Sequence, residues 1–320
     1  LAIVSALAAY SCTANASDPY PNAPIRLVVP YPPGGNLDIT TRAIGTAMGR
    51  ILKQSIVIEN MGGAGGSIGA AYVARAKPDG YTMLSTTLVT LIVDPTLIPG
   101  TKVSVGDFDP VGMLAVVPSV LEVKAKNKLG ITDFNGFLAY ARAHPGAVSV
   151  AHSGAGTTNH IAELLLQRDF GIKVNLIPYK GSAPALSDLL GGQTDAQVDQ
   201  LTSSKPQIQA GSLIALASTS AKRTADLPDV PTIAELSKTD FEMVTYSLLM
   251  MPKGTPLAVR QTLNDALAKA VADPDVVRQL RLVGADVVPS TIDSVATIVA
   301  SEQKKLQPLI DSGALAPQAQ

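Results

Sequence analysis

The chain has 320 residues, 46% of them hydrophobic, too long for one compact core and suited to two domains. Its 25 basic and 26 acidic residues leave a formal net charge of −1, which excludes a basic nucleic-acid binder and a polybasic membrane-surface protein. No apolar stretch reaches the roughly 18–20 residues needed to span a bilayer.

Residues 1–12 (LAIVSALAAYSC) are apolar and uncharged, about the length of a signal-peptide core. Ala14-Asn15-Ala16 follows as an A-x-A cleavage signal, and Ser17 opens a polar stretch. The pattern predicts residues 1–16 to be part of a signal peptide, Sec export and cleavage near Ala16. A buried first helix is the competing reading; a lipoprotein anchor is disfavoured by the poor lipobox Ala9-Tyr10-Ser11. With no Met or basic leader ahead of it, the precursor is expected to start a few residues upstream. Cys12 is the only cysteine, so the mature chain is expected to have no disulfide, thiol nucleophile or cysteine metal ligand.

Residues 25–29 (IRLVV), 55–58 (SIVI) and 81–85 (YTMLS) read as buried strands, and residues 38–52 and 67–76 between them as helices. This alternation marks βαβ units and a mainly parallel sheet. Residues 111–123 (VGMLAVVPSVLEV) form an apolar run broken by Pro118 and too long for an ordinary strand. It predicts a strand that leaves one domain and enters the next. A second series follows: strand 148–151 leads to helix 157–167, strand 174–177 to helix 182–190, and strand 196–198 to a helix near 205–210. Strand 213–217 precedes a Pro-rich stretch at 227–232, and a second crossing is predicted at 243–250. The remainder reads as helices at 256–272, 275–283 and 291–309. In the first of these, Val259, Leu263, Ala266 and Ala270 share one face, and Pro256 suits the first turn. The predicted architecture is α/β with two lobes joined by two crossover strands. Lobe 1 takes residues 20–120 plus 247–320, and lobe 2 residues 121–246.

Tyr31-Pro32-Pro33-Gly34-Gly35-Asn36-Leu37-Asp38 follows the first strand directly. Its prolines stiffen the entry and its glycines let backbone approach a ligand. Such a strand-to-helix loop lies at the carboxyl edge of the sheet, where ligands bind. Gly34 and Gly35 are read as ligand contacts, and Asp38 as the helix N-cap. Ser153-Gly154-Ala155-Gly156-Thr157-Thr158 repeats the arrangement, with backbone N–H groups and a helix dipole that make an anion site. Simple capping by Thr157 is compatible with that. Neither loop matches G-x-G-x-x-G or the Walker pattern, so nucleotide binding is unsupported. Gly65 to Gly69 is formally G-x-S-x-G around Ser67, but a packed glycine turn accounts for it better than a hydrolase nucleophile. His144, His152 and His160 are the only histidines; no metal site is expected, and His160 is read as structural. Lys180 is read as a loop-bracing or solvated lysine.

Several segments together resemble one family. They are VPYPPGGNLD (29–38), VIENMGGAGGSIGA (57–70), KPDGYTML (77–84), FDPVGML (108–114), SGAGTTNHIAELL (153–165), IPYKGSAPALSDLLGGQTD (177–195), LPDVPTIAEL (227–236) and PKGTP (252–256). In this order they resemble the periplasmic substrate-binding proteins of tripartite tricarboxylate transporters, the Bug receptors, over nearly the whole mature chain. The resemblance implies a two-lobed periplasmic binding protein of type II-like, Venus-flytrap form, with no catalytic residues and no cofactor. It implies a small di-, tri- or aromatic carboxylate as ligand, integral membrane transporter subunits as partners, a periplasmic location and a monomer. It assigns Gly34, Gly35 and Asn36 to the ligand, with Tyr31 bracing the loop, and Ser153, Gly154, Thr157 and Thr158 from the second loop. Thr86 and Thr87 are implied as side-chain contacts, and Asp199 as a residue facing the ligand's distal end. The chain departs from the family at residues 245–251, where a Trp-aromatic-Gly stretch is usual, and at Leu306, where a Trp is usual. The competing functions are a receptor that reports to a sensor's external domain and, more remotely, a hydrolase using Ser67.

Overall fold

In a computed structural model of the protein, residues 20–97 and 100–313 are described. Residues 1–16, expected to be a leader, lie outside them, Cys12 among these. The first half opens with β1 (Ile25–Val29), α1 (Asn36–Leu52), β2 (Ile56–Asn60), α2 (Ser67–Ala74) and β3 (Thr82–Thr87). β1 pairs in parallel with both β2 and β3, as the alternating pattern requires. α3 (Leu88–Leu97) follows without a break, and β4 (Phe108–Lys124) then runs for 17 residues.

β4 is the first crossing. From Phe108 to Pro118 it pairs antiparallel with β9 (Val244–Pro252). From Ser119 to Val123 it pairs with β7 (Ala196–Gln200), and its other edge takes β8 (Leu213–Ser218). The strand changes partners beside Pro118, a residue with no N–H to give a ladder. The second half adds α4 (Phe134–Ala143), β5 (Ser149–His152), α5 (Thr158–Phe170), β6 (Asn175–Pro178), α6 (Ser182–Gly191), α7 (Leu201–Gln209) and α8 (Ile233–Ser237). β9 returns the chain to the first half and pairs with β3. α9 (Leu257–Val271), α10 (Pro274–Leu282) and α11 (Ile292–Asp311) complete it. The strand order is β2-β1-β3-β9-β4-β7-β5-β6, with β8 also on β4. The fold is α/β, in two lobes that share β4 and β9.

Leu27, Ile44, Met83, Leu263 and Leu280 belong to the core of the first half, and Leu121, Phe137, Val150, Ile161 and Val198 to that of the second. Val89, Val93 and Leu97 of α3 and Leu306 of α11 also join the second core. Leu88 and Leu91 of α3 and Val295 of α11 pack instead with Val28 and Leu84. Both helices therefore lie across the two halves, although their sequence positions group them with the first. Full burial of Leu306 alone contributes about 1.5–3 kcal/mol to seating α11 there. No helix among the described residues is long and apolar enough to cross a membrane.

Candidate ligand cleft

The loop between β1 and α1 is held by a small polar lock. Gly34 sits at φ +84°, a left-handed conformation suited to glycine, and its N–H donates to Asp38 Oδ2 at 2.9 Å. Asp38 also accepts from Arg42 Nε at 3.0 Å and Asn60 Nδ2 at 3.0 Å. Asn60 Nδ2 donates in addition to the Tyr31 carbonyl at 2.8 Å. Burial alone would raise the Asp38 carboxyl, but the hydrogen bonds from Arg42, Gly34 and Asn60 and the Arg42 charge hold it below the usual range. Asp38 is therefore not the N-cap expected from its position. α1 starts at Asn36 with Gly35 as N-cap, and Asp38, one turn in, reaches back to the loop. The Tyr31 hydroxyl donates to the Gly65 carbonyl at 2.8 Å and lies 3.0 Å from Thr90 Oγ1, so Tyr31 ties this loop to the glycine run.

The loop between β5 and α5 is shaped by histidines. Thr157 is the N-cap of α5: its side chain accepts from His160 N–H and donates to the Gly154 carbonyl at 2.7 Å. Gly154 N–H donates to His152 Nδ1, and Gly156 N–H to His160 Nδ1, both at 3.2 Å. The two rings stack with centroids 4.4 Å apart. Burial pushes His152 down to about 4; burial and the neighbouring imidazole push His160 down to about 3. Both are neutral acceptors that fix the loop.

The two loops meet. A Cβ on Gly154 would lie 3.4 Å from Gly65 Cα, and one on Gly181 2.9 Å from Pro32 Cδ. Thr202 Oγ1, in α7, donates to Asn36 Oδ1 at 2.5 Å. Between them lies a cleft lined by Tyr31, Gly35 and Asn36 from the first loop, Ser153, Thr157 and Thr158 from the second, and Thr87 from the end of β3. Its free cavity is about 30 Å³, near the share of one water molecule in the liquid. The halves touch around it, so a larger solute fits only when they part.

The N-termini of α1 and α5 both reach this cleft. The first N–H groups of a helix have no partner within it and carry the positive end of its dipole. Two such ends from opposite halves, with the Thr158 hydroxyl buried and unpartnered between them, make a donor-rich place for an anion without a cation.

Four residues expected at the ligand do not line the cleft. Gly34 and Gly154 have their N–H groups engaged by Asp38 and His152. Thr86 is fully buried and its hydroxyl faces the Thr87 carbonyl at 3.4 Å. Asp199 is fully buried and accepts from Ser182 Oγ at 2.6 Å and Asn159 Nδ2 at 3.1 Å. Strand alternation puts Asp199 behind the wall and its neighbour Gln200 on it. Burial raises Asp199 to about 6 despite these hydrogen bonds. Burial and the Asp199 charge also raise Glu122 and Glu163 well above the carboxylate range.

Pro32, Leu37, Ser182 and Gln200 complete the lining and were not singled out from sequence. Ser182 opens α6 and Gln200 ends β7, so both stand at strand-to-helix junctions. The rule that picked out the first two loops would have found them. Ser67 starts α2 and lies in a separate surface depression with Ile68 and Arg75.

The model of the tripartite tricarboxylate transporter family receptor matches residues 40–315. Protein BugT of Bordetella pertussis is 37% identical over 288 residues, covering 89% of this chain and 88% of BugT. MatC of Rhodopseudomonas palustris, solved with bound malate, superimposes with TM-score 0.85 at 31% identity, covering 91% of this chain and 100% of MatC. R. palustris Rpa4515, solved with adipate, superimposes with TM-score 0.87 at 31% identity, covering 92% and 98%.

Proposed function

The chain belongs to the tripartite tricarboxylate transporter receptor family, and on that premise we propose that it captures a small carboxylate in the cleft between its lobes and delivers it to membrane transporter subunits. The observation that carries this reading is the convergence of the α1 and α5 N-termini on one closed cleft. One carboxylate group sits there, held by backbone N–H groups of Asn36, Leu37, Thr158 and Asn159 and by the hydroxyls of Ser153 and Thr158. Neutral donors avoid burying an ion pair, whose desolvation can exceed its Coulomb gain, and they permit release. Malate in MatC and adipate in Rpa4515 support a carboxylate as the ligand class.

The chain acts as a binding protein and not as an enzyme, in the periplasm, after removal of its leader near Ala16, and as a monomer. Lobe 1 takes residues 20–120 plus 247–320 and lobe 2 residues 121–246. The change of partner along β4 next to Pro118 and the start of β9 at Val244 support these limits to within a few residues. Across that division, α3 and α11 serve as straps.

Calorimetry and thermal shift on the chain from Ser17 test the reading against aliphatic and aromatic mono-, di- and tricarboxylates, amino acids and sugars. A carboxylate at about a hundredfold its Kd adds roughly 2.7 kcal/mol to stability. A clear shift with a neutral solute and none with any carboxylate would overturn it.

A further inference from the structure

A second stretch of the cleft wall is formed by Ser182 and Gln200, and its hydrogen-bonding polarity is set from behind. Ser182 has one hydroxyl proton, and its Oγ lies 2.6 Å from Asp199 Oδ1. A carboxylate can only accept, so that proton is engaged. The same carboxylate accepts from Asn159 Nδ2 at 3.1 Å, which fixes the Asn159 amide with its oxygen towards Gln200. Gln200 Nε2 donates to that oxygen at 2.5 Å and to Thr245 Oγ1 at 3.1 Å. Both Gln200 amide hydrogens are thereby occupied. Gln200 Oε1 in turn lies 3.3 Å from Ser182 Oγ and 3.4 Å from Asn159 Nδ2, so what the pair retains for the cleft is the acceptor capacity of the Ser182 Oγ lone pairs. The α1 and α5 ends of the same cleft present donors. Among these donors the Ser182 hydroxyl stands as a fixed acceptor.

We propose that Asp199 is a positioning residue that holds the Ser182 hydroxyl as an acceptor towards the cleft, so that the receptor selects, among small carboxylates, those carrying a hydroxyl or ammonium hydrogen that faces Ser182. This rests on the carboxylate reading above and adds a chemical class to it. An acid that puts methylene or carboxylate oxygen against Ser182 leaves that buried acceptor unmatched. Burial pushes Glu122 and Glu163 well above the usual carboxylate range and Asp199 up to about 6.

The test is calorimetry at pH 7.5 on the full mature chain with matched acids of one skeleton. These are straight-chain four- to six-carbon dicarboxylates and their 2-hydroxy and 2-amino counterparts. At one skeleton length a donor-bearing acid is expected to bind roughly ten- to a hundredfold more tightly than its plain counterpart. The hydroxy and amino arms show which donor is used. Asp199→Leu removes the acceptor behind Ser182 at similar volume and releases the Ser182 proton towards the cleft. It is expected to abolish the preference while the plain acid binds at least as well as before, which a merely structural role would not produce. Ser182→Ala is expected to abolish the preference too, and serves if the Leu variant does not fold. Equal affinity for plain and donor-bearing acids in the parent chain overturns this inference and leaves the carboxylate reading standing. A preference that survives in both variants removes the role of Asp199 and Ser182. If no carboxylate binds at all, the carboxylate reading fails and this inference falls with it.

Discussion

His152 lies against His160 with ring planes 21° from parallel, and each ring accepts one glycine N–H of the loop that separates them. Both must be neutral at Nδ1 to do so. In the unfolded chain they take protons near the usual 6.5, whereas in the fold they resist to about 4 and about 3. Below pH 6.5 the unfolded state therefore binds more protons, and stability from this pair falls as pH drops towards 4. For His152 alone the loss is about 3 kcal/mol. Asp199, Glu122 and Glu163, raised by burial, act in the opposite direction at acid pH, so the histidine effect is read as a difference. His152→Asn with His160→Asn keeps an acceptor near each Nδ1 position without the titration. In denaturant melts the double variant is expected to lose less stability than the parent between pH 7 and pH 4.5. Parallel losses would mean that the pair does not hold the loop through neutral imidazoles.

Gly34 and Gly35 are neighbours with different needs. Gly34 has φ +84°, where an L side chain costs about 1–3 kcal/mol. Gly35 has φ −85°, an ordinary value, and a Cβ there would meet Ser182 Cβ at 3.8 Å, a normal contact. Gly34→Val is thus expected to lower the melting temperature. Gly35→Val should fold with little loss and still weaken ligand binding, because its methyl groups enter the cleft beside Ser182. Calorimetry showing unchanged affinity in Gly35→Val would remove that residue from the site.

The reach of sequence reasoning follows from this geometry. β1 was placed residue for residue because an isolated apolar run between prolines has one reading. α3 escaped notice because it has no 3.6-residue stripe to read: most of its apolar residues fall in one run, 88–93, that packs Leu88 and Leu91 into one core and Val89 and Val93 into another. α4 was also missed, although Asp133 caps it by accepting from Gly136 N–H at 2.8 Å. That signal was legible. Asp199 shows a different limit. Position along the chain placed it at the carboxyl end of a strand, but the face of that strand depends on register, and a one-residue offset separates the wall from what lies behind it.

Asp38 is nearly buried while Arg42, its ion-pair partner, is half exposed. The worth of this contact lies less in the screened charge pair than in the Gly34 N–H and Asn60 amide that Asp38 also receives. Asp38→Ala leaves those donors unmatched and is expected to cost about 1–3 kcal/mol, with weaker ligand binding because the loop loses its shape. Arg42→Ala, which leaves both donors satisfied, is expected to cost less. If denaturant melts rank the two variants the other way, the ion pair is what holds the loop.

The contact between Thr202 and Asn36 joins α7 to the first turn of α1 across the cleft. It exists only while the halves are together, since the two residues belong to elements on opposite sides of the crossing strands. Both residues are buried, so removing the hydroxyl leaves Asn36 Oδ1 without its donor in the closed form and free to meet water in the open one. Thr202→Val keeps the volume and removes only that bond. The closed form then loses about 1 kcal/mol relative to the open form. Ligand holds the lobes closed, so the penalty appears in binding, as a Kd raised about fivefold. Most of that change should fall in the dissociation rate, because opening precedes release. Surface plasmon resonance on the immobilised chain measures both. A Kd equal to that of the parent would show that closure does not depend on this bond, and a slower association at unchanged dissociation would place its role in ligand entry.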